Sequence, residues 1–273
     1  MPVRPTSLII EAVAPRRTIA ILFVTALVAA ACSRSIATSP TPKVLAPSAP
    51  PAPPVTSVQN QASGPGPVLP RGTFVARSKT PDLTIWKGPS TAAGRRFSFP
   101  DRNAFGQPIA FLVTSTARDA DGGAWLRILL PIRPNDAAGW VRRGAVQVHA
   151  IHQHIVVDLS SRVLRYYRDG KLVDHFRVGV GRPETPTAVG TFYVWAQVPQ
   201  ASPSGPYGVF ALGLSGFSPV LLDWPGGGRM AIHGTAFAAD QGQMVSHGCV
   251  RVYNPNMQLL EGVPLGTPVT IHI

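Results

Sequence analysis

A chain of 273 residues has room for one large or two modest domains, each able to bury its own core. Its 29 prolines and 26 glycines exclude a helix-rich protein, and turn-bounded runs of Val, Ile, Thr, Phe and Trp through the second half indicate a mainly β fold with one or two short helices. The net charge of +12 is concentrated in residues 71–150, where twelve Lys and Arg face five Asp and Glu, a balance that suits an anionic surface such as a cell envelope polymer or lipid headgroups.

Residues 1–32 read as an export signal. Arg16 and Arg17 precede an uncharged apolar run from Ile19 to Ala31, which is shorter than the roughly 20 apolar residues of a membrane span. Cys32 follows three small residues and resembles a bacterial lipoprotein processing site, where the cysteine becomes the lipidated first residue of the mature chain. Ordinary signal cleavage and an uncleaved signal anchor are the alternatives. Each outcome makes the protein extracytoplasmic, in the cell envelope, and export removes nucleic acid from its partners.

Residues 33–70, rich in Pro, Ala and Ser, lack any apolar period and predict a disordered, partly polyproline spacer. Residues 71–150 predict a small β domain of short strands: "GTFVARS", "DLTIWKGPS", a pair of strands around the Asp121–Gly122–Gly123 turn, and "AAGWVRRGAVQV". The "WLRI" and "GWV" segments make this stretch similar to a bacterial SH3-like barrel. Trp125 and Trp140 are open to two readings, core residues or ligand-binding residues.

Residues 151–273 form the second β-rich domain. "HIVVDLSSRVLRYYRDGKLVDHFRVGVG" alternates strands with turns, Asp169–Gly170 being a two-residue hairpin signal. "GTFYVWAQV", "GRMAIHG" and "TPVTIHI" predict further strands, and Asn254–Pro255 begins a short helix through Leu260 that Gly262 ends. His149, His152 and His154 mark the junction between the domains; an extended backbone puts His152 and His154 on one face, with no nearby carboxylate or cysteine to complete a metal site. The turn from Trp224 to Met230, with three glycines, is either a plain loop or a mobile rim over a cleft.

Two cysteines exist, Cys32 and Cys249, and export processing that lipidates or removes Cys32 leaves Cys249 without a partner. A thiol needs a base or cation beside it to react at neutral pH. His233, sixteen residues upstream, and His247, two residues before Cys249, are the candidates. Gly248 frees the backbone to turn and present amides to an oxyanion, and Gly234 lets a carbonyl approach the His233 ring. From these residues alone an acyl-transfer Cys/His site stands beside a buried inert cysteine and a metal ligand, the last lacking paired cysteines.

"IHGT" followed by "SHGCVRV" resembles the signature of the L,D-transpeptidases with a YkuD-type catalytic domain; "TPTAVGTFYV" and "LGTPVTI" resemble two further stretches of that family. The resemblance implies a β-rich catalytic domain acting on peptidoglycan stem peptides, with no metal or organic cofactor. It implies Cys249 as nucleophile, His233 as general base and then acid, and Gly234 orienting His233. It implies His247 and Gly248 around the oxyanion hole with the Cys249 amide, and Ser246 supporting the loop beside the substrate; Arg251 stands where some members have asparagine, and its planar fork suits a substrate carboxylate. The implied reaction expels the terminal D-Ala from a stem peptide, forms a thioester, and passes the acyl group to the side-chain amine of another stem. The resemblance also implies acylation by carbapenems. Rival readings are an L,D-carboxypeptidase with water as acceptor and a non-catalytic wall-binding protein.

Overall fold

Short strands build this molecule, some buried on one face, as along Asp82–Trp86, and others on both, as along Gln153–Asp158 and Phe210–Phe217. The computed structural model describes residues 72–223 and 226–273. The export signal, Cys32 and the spacer expected before residue 71 lie outside the described residues, as do Trp224 and Pro225.

The first sheet contains β1 (Thr73–Ser78), β2 (Asp82–Trp86), β3 (Arg95–Pro100), β4 (Phe111–Arg118), β5 (Ala124–Leu129), β6 (Ala138–Arg142) and β7 (Val146–Ile151), ordered β3-β2-β6-β5-β4-β1-β7. Leu83, Ile85, Phe111, Ile128 and Val141 fill its interior. Trp125 is buried, its indole N–H donating to Asp119 Oδ2 at 2.8 Å, whereas Trp140 is half-buried.

The second part contains β8 (Gln153–Asp158), β9 (Val163–Arg168), β10 (Lys171–Arg177), β11 (Val180–Gly181), β12 (Gly190–Pro199), β13 (Phe210–Phe217), β14 (Arg229–Thr235), β15 (Met244–Ser246), β16 (Val250–Tyr253), the helix α1 (Asn254–Gln258) and β17 (Pro268–His272). Its main sheet runs β10-β9-β8-β17-β12-β13-β14-β16, and β11 pairs with β15 beside it. Asp169 and Gly170 both take positive φ, the backbone that a tight hairpin between β9 and β10 demands. The helix is shorter than expected: after Gln258 the amides of Leu259, Leu260 and Glu261 bond three residues back, which tightens the last turn and ends it before Gly262.

The C-terminal strand β17 enters the middle of the sheet, parallel to β8 and antiparallel to β12. The histidine cluster divides. His154 is buried with Nε2 2.9 Å from Thr270 Oγ1, while His152 meets Asp169 at the surface, so the two do not share an environment.

All described residues belong to one compact unit, and the two sheets share packing. Val75 and Ala110 join the core of the second sheet, and Leu112 and Leu129 pack on Tyr193. Gly266, at φ 89°, has no room for a side chain because Val75 and Ala110 crowd it.

Candidate active site

The site is built where β14 and β16 run side by side in parallel, with Ile232 opposite Val250 and His233 opposite Arg251. Alternation sends Met230, Ile232, Val250 and Val252 into the core. It leaves His233 and Thr235 on the other face together with Arg251, and Cys249 stands one step before β16. His233 and Cys249 open onto one cleft of about 240 Å³, whose lining includes Tyr207, Ser218, His247 and Arg251.

His233 is buried, and its Nδ1–H donates to the carbonyl oxygen of Gly234 at 2.9 Å. That bond selects the tautomer in which Nε2 is the acceptor. Burial pushes its pKa down to about 4, and the Arg251 charge adds to the shift, so the imidazole is neutral at pH 7. The Tyr207 ring packs against it in a T-shaped contact with centroids 5.1 Å apart.

Burial raises the Cys249 thiol above its ordinary range; a hydrogen bond with the Ala231 main chain and the Arg251 charge pull the other way without cancelling it. Thiol and imidazole are therefore both neutral at rest.

The turn that presents Cys249 is tied by Ser246. This hydroxyl accepts the Gly248 N–H at 3.1 Å and donates to the Cys249 carbonyl at 2.5 Å. Gly248 takes φ 113°, which breaks the extended path between His247 and Cys249, so the two are not same-face strand neighbours. His247 is exposed at the cleft. Thr185 Oγ1 and the Arg182 amide both donate to the Ser246 carbonyl at 3.1 Å, so the "TPTAVG" stretch buttresses this turn.

Sequence reasoning missed three contributors. Asp240 Oδ2 accepts from Arg251 Nη1 at 3.2 Å and from Thr235 Oγ1 at 2.8 Å, so one fork position of Arg251 is already engaged. Tyr207 covers His233. Asn254 accepts the Val209 amide at 3.2 Å and donates to the Pro203 carbonyl at 2.8 Å, holding the Tyr207 loop down. Asp240 lies seven residues past His233, at the end of a single 3-10 turn (Ala238–Asp240) with no motif of its own, and only the fold brings it to Arg251. Gly234 has a second reason to be glycine: a side chain there would meet Asn254 Oδ1, the Val209 amide and Gly208 Cα.

The model of the family described as YkuD, L,D-transpeptidase catalytic domain, matches residues 152–271. The YkuD protein of Bacillus subtilis (strain 168) is 32% identical over 130 residues, covering 47% of this chain and 71% of that protein. Its counterpart in Bacillus licheniformis is 34% identical over 122 residues, covering 44% of this chain and 66% of that protein. Among solved structures, the catalytic domain of an L,D-transpeptidase from E. faecium is similar at 29% identity, covering 44% of this chain and 96% of that one with a TM-score of 0.34.

Proposed function

Because this chain belongs to the family of L,D-transpeptidase catalytic domains of YkuD type, we propose that it is a peptidoglycan L,D-transpeptidase that works through a Cys249 thioester. The observation that carries the mechanism is the pairing of β14 with β16, which opens Cys249 and a tautomer-locked His233 onto one cleft.

His233 Nε2 takes the thiol proton as sulfur attacks the carbonyl of the third stem residue. The new C–S bond forms as the C–N bond to terminal D-Ala breaks, and His233 returns the proton to the departing amine. The side-chain amine of a second stem then attacks the thioester, giving its proton to His233 and restoring the thiol. The Gly248 amide is committed to Ser246, so the Cys249 amide is the main-chain donor assigned to the oxyanion, with His247 beside it at the cleft. Ser246 acts as a positioning residue. Arg251, steadied by Asp240, supplies the cation for a substrate carboxylate.

Residues 71–150 are assigned to an SH3-like module whose positive charge meets an anionic envelope polymer, ahead of the catalytic domain at 151–273. Residues 1–32 are assigned to export and residues 33–70 to a spacer, with lipidated Cys32 as the membrane anchor; these assignments rest on sequence alone.

The test incubates the full-length protein with a disaccharide-tetrapeptide and reads products by mass spectrometry beside Cys249→Ala. A dimer lighter by one D-Ala than two monomers, absent with the variant, is expected. A tripeptide monomer alone assigns water as acceptor, and no product from folded protein overturns the reading.

A further inference from the structure

Part of the cleft lining comes from the connection between β13 and β14, through Ser218, Leu221 and Gly228. Ser218 is the wall residue next to the catalytic turn: a Cβ placed on Gly248 would lie 3.8 Å from Ser218 Cβ and 3.9 Å from its hydroxyl. Its own loop contributes several bonds to it. The Ser218 hydroxyl accepts the Val220 and Leu221 amides at 3.3 and 3.1 Å, and the Ser218 amide donates to Gly228 at 2.7 Å.

The remaining fastening comes from the other sheet. In the β5–β6 turn, Asn135 Nδ2 donates to the Phe217 carbonyl and Asn135 Oδ1 accepts the Phe217 amide, both at 2.9 Å. Arg133 donates to three carbonyls of the wall: Ser218 at 3.0 Å, Leu221 at 3.1 Å and Gly227 at 2.8 Å. Its guanidinium also lies 4.9 Å from the Phe217 ring centroid. A planar fork with five donors can bridge three diverging acceptors, whereas a single ammonium on a flexible stem holds such a set poorly. From the opposite direction Arg229 reaches the Pro131 carbonyl at 3.2 Å, with its guanidinium against Trp195 and Phe217.

We propose that Arg133 and Asn135 are positioning residues of the catalytic cleft: they hold the Phe217–Leu221 wall beside the Cys249 turn and so set how tightly the acyl-donor peptide binds. The proposal rests on the transpeptidase reading. It makes the first sheet a working part of the active site, separate from any binding of envelope polymer.

The molecule contains a matched control. Gln107 makes the same two-bond contact, Nε2 to the Gln197 carbonyl at 2.7 Å and Oε1 from the Gln197 amide at 3.0 Å, between the same two sheets and outside the cleft lining. Full-length Arg133→Ala, Arg133→Lys, Asn135→Ala, Asn135→Asp and Gln107→Ala are compared by D-Ala release and by hydrogen–deuterium exchange of the segment 214–223. Displacing a binding wall is expected to raise KM for the tetrapeptide about tenfold in Arg133→Ala and Asn135→Ala while kcat changes less than about threefold. Exchange at Phe217–Leu221 rises in the same variants. Arg133→Lys stays defective, Asn135→Asp, which sets a carboxylate oxygen against the Phe217 carbonyl oxygen, is at least as defective as Asn135→Ala, and Gln107→Ala matches wild type in both readouts.

Wild-type KM in Arg133→Ala and Asn135→Ala overturns the proposal, as does an equal KM rise in Gln107→Ala, which would mean general loosening between the sheets. Should an alanine variant fail to fold, Arg133→Lys decides by the same two readouts. A wild-type protein silent in D-Ala release counts against the transpeptidase reading instead; the wall contact is then read by exchange, and unchanged exchange overturns it.

Discussion

Asp240 Oδ2 lies 3.2 Å from Arg251 Nη1 and also accepts the Thr235 hydroxyl, so one buried carboxylate oxygen ties the strand after the nucleophile to the strand that carries His233. Asp240→Ala strands both partners. Loss of a part-buried charged hydrogen bond predicts destabilisation of about 1–3 kcal/mol, seen as a lower urea midpoint. Activity should fall further than stability explains, because Arg251 loses its fixed direction. Asp240→Asn keeps an acceptor for Thr235 and should recover stability before activity.

The buried, neutral His233 predicts an unusual acid limb. Its folded pKa is about 4, so the base is lost only when pH falls through about 4, and kcat/KM should stay flat from neutrality down to that region. A limb centred near 6.5, the ordinary histidine value, would contradict the burial argument.

Cys249 should be a poor target for small alkylating agents in the resting protein. Its thiol is raised by burial and its neighbour imidazole is uncharged, so the thiolate fraction at pH 7 lies below that of a free cysteine. The rate of iodoacetamide labelling, followed by intact mass, is expected to be slower than in the urea-unfolded chain at the same pH. Faster labelling in the native protein would point to an ion pair.

Gly208, at φ 61°, packs on the Gly234 backbone and on Asn254 Oδ1. Alanine there must strain its backbone and lift the Tyr207 loop from His233. Gly208→Ala is expected to cost about 1–3 kcal/mol and to reduce D-Ala release, whereas Gly226→Ala, whose Cβ would meet nothing nearby, carries only the backbone strain.

His154 links stability to pH. Burial lowers its pKa from 6.5 to about 4, so the unfolded chain takes up a proton first as pH falls. The stability it contributes is complete above 6.5 and is lost progressively down to about 4. His154→Gln should therefore flatten the slope of unfolding free energy in this window by up to about 1.4 kcal/mol per pH unit. Parallel slopes for wild type and variant would show that the site is not desolvated.

The predicted strands were legible where alternation and turn chemistry coincided, as at Asp169–Gly170 or along "GRMAIHG". The strands β3 and β13 were not, because "RRFSFP" is rich in charge and "FALGLSGF" has small residues where a strand usually carries bulk. Tight packing explains one of those small residues: a side chain on Gly216 would collide with Phe192.

Chemistry that depends on adjacent residues could be read from the chain alone. The Cys/His/Gly set of "IHGT" and "SHGCVRV" carries its own turn geometry, and a local motif needs no partner to be recognised. Contacts between distant segments could not be read this way. Asp240 against Arg251, Asn254 under the Tyr207 loop, and Arg133 across the Phe217 wall join positions 11, 45 and 85 residues apart, as do the neutral states of His233 and Cys249, which arise from burial. Sequence by itself determined the β class and the catalytic-domain family, because those follow from local periodicity and a local motif. Tertiary structure decided which groups are desolvated, which charges are paired and which segments line the cleft, because each depends on what the chain folds against.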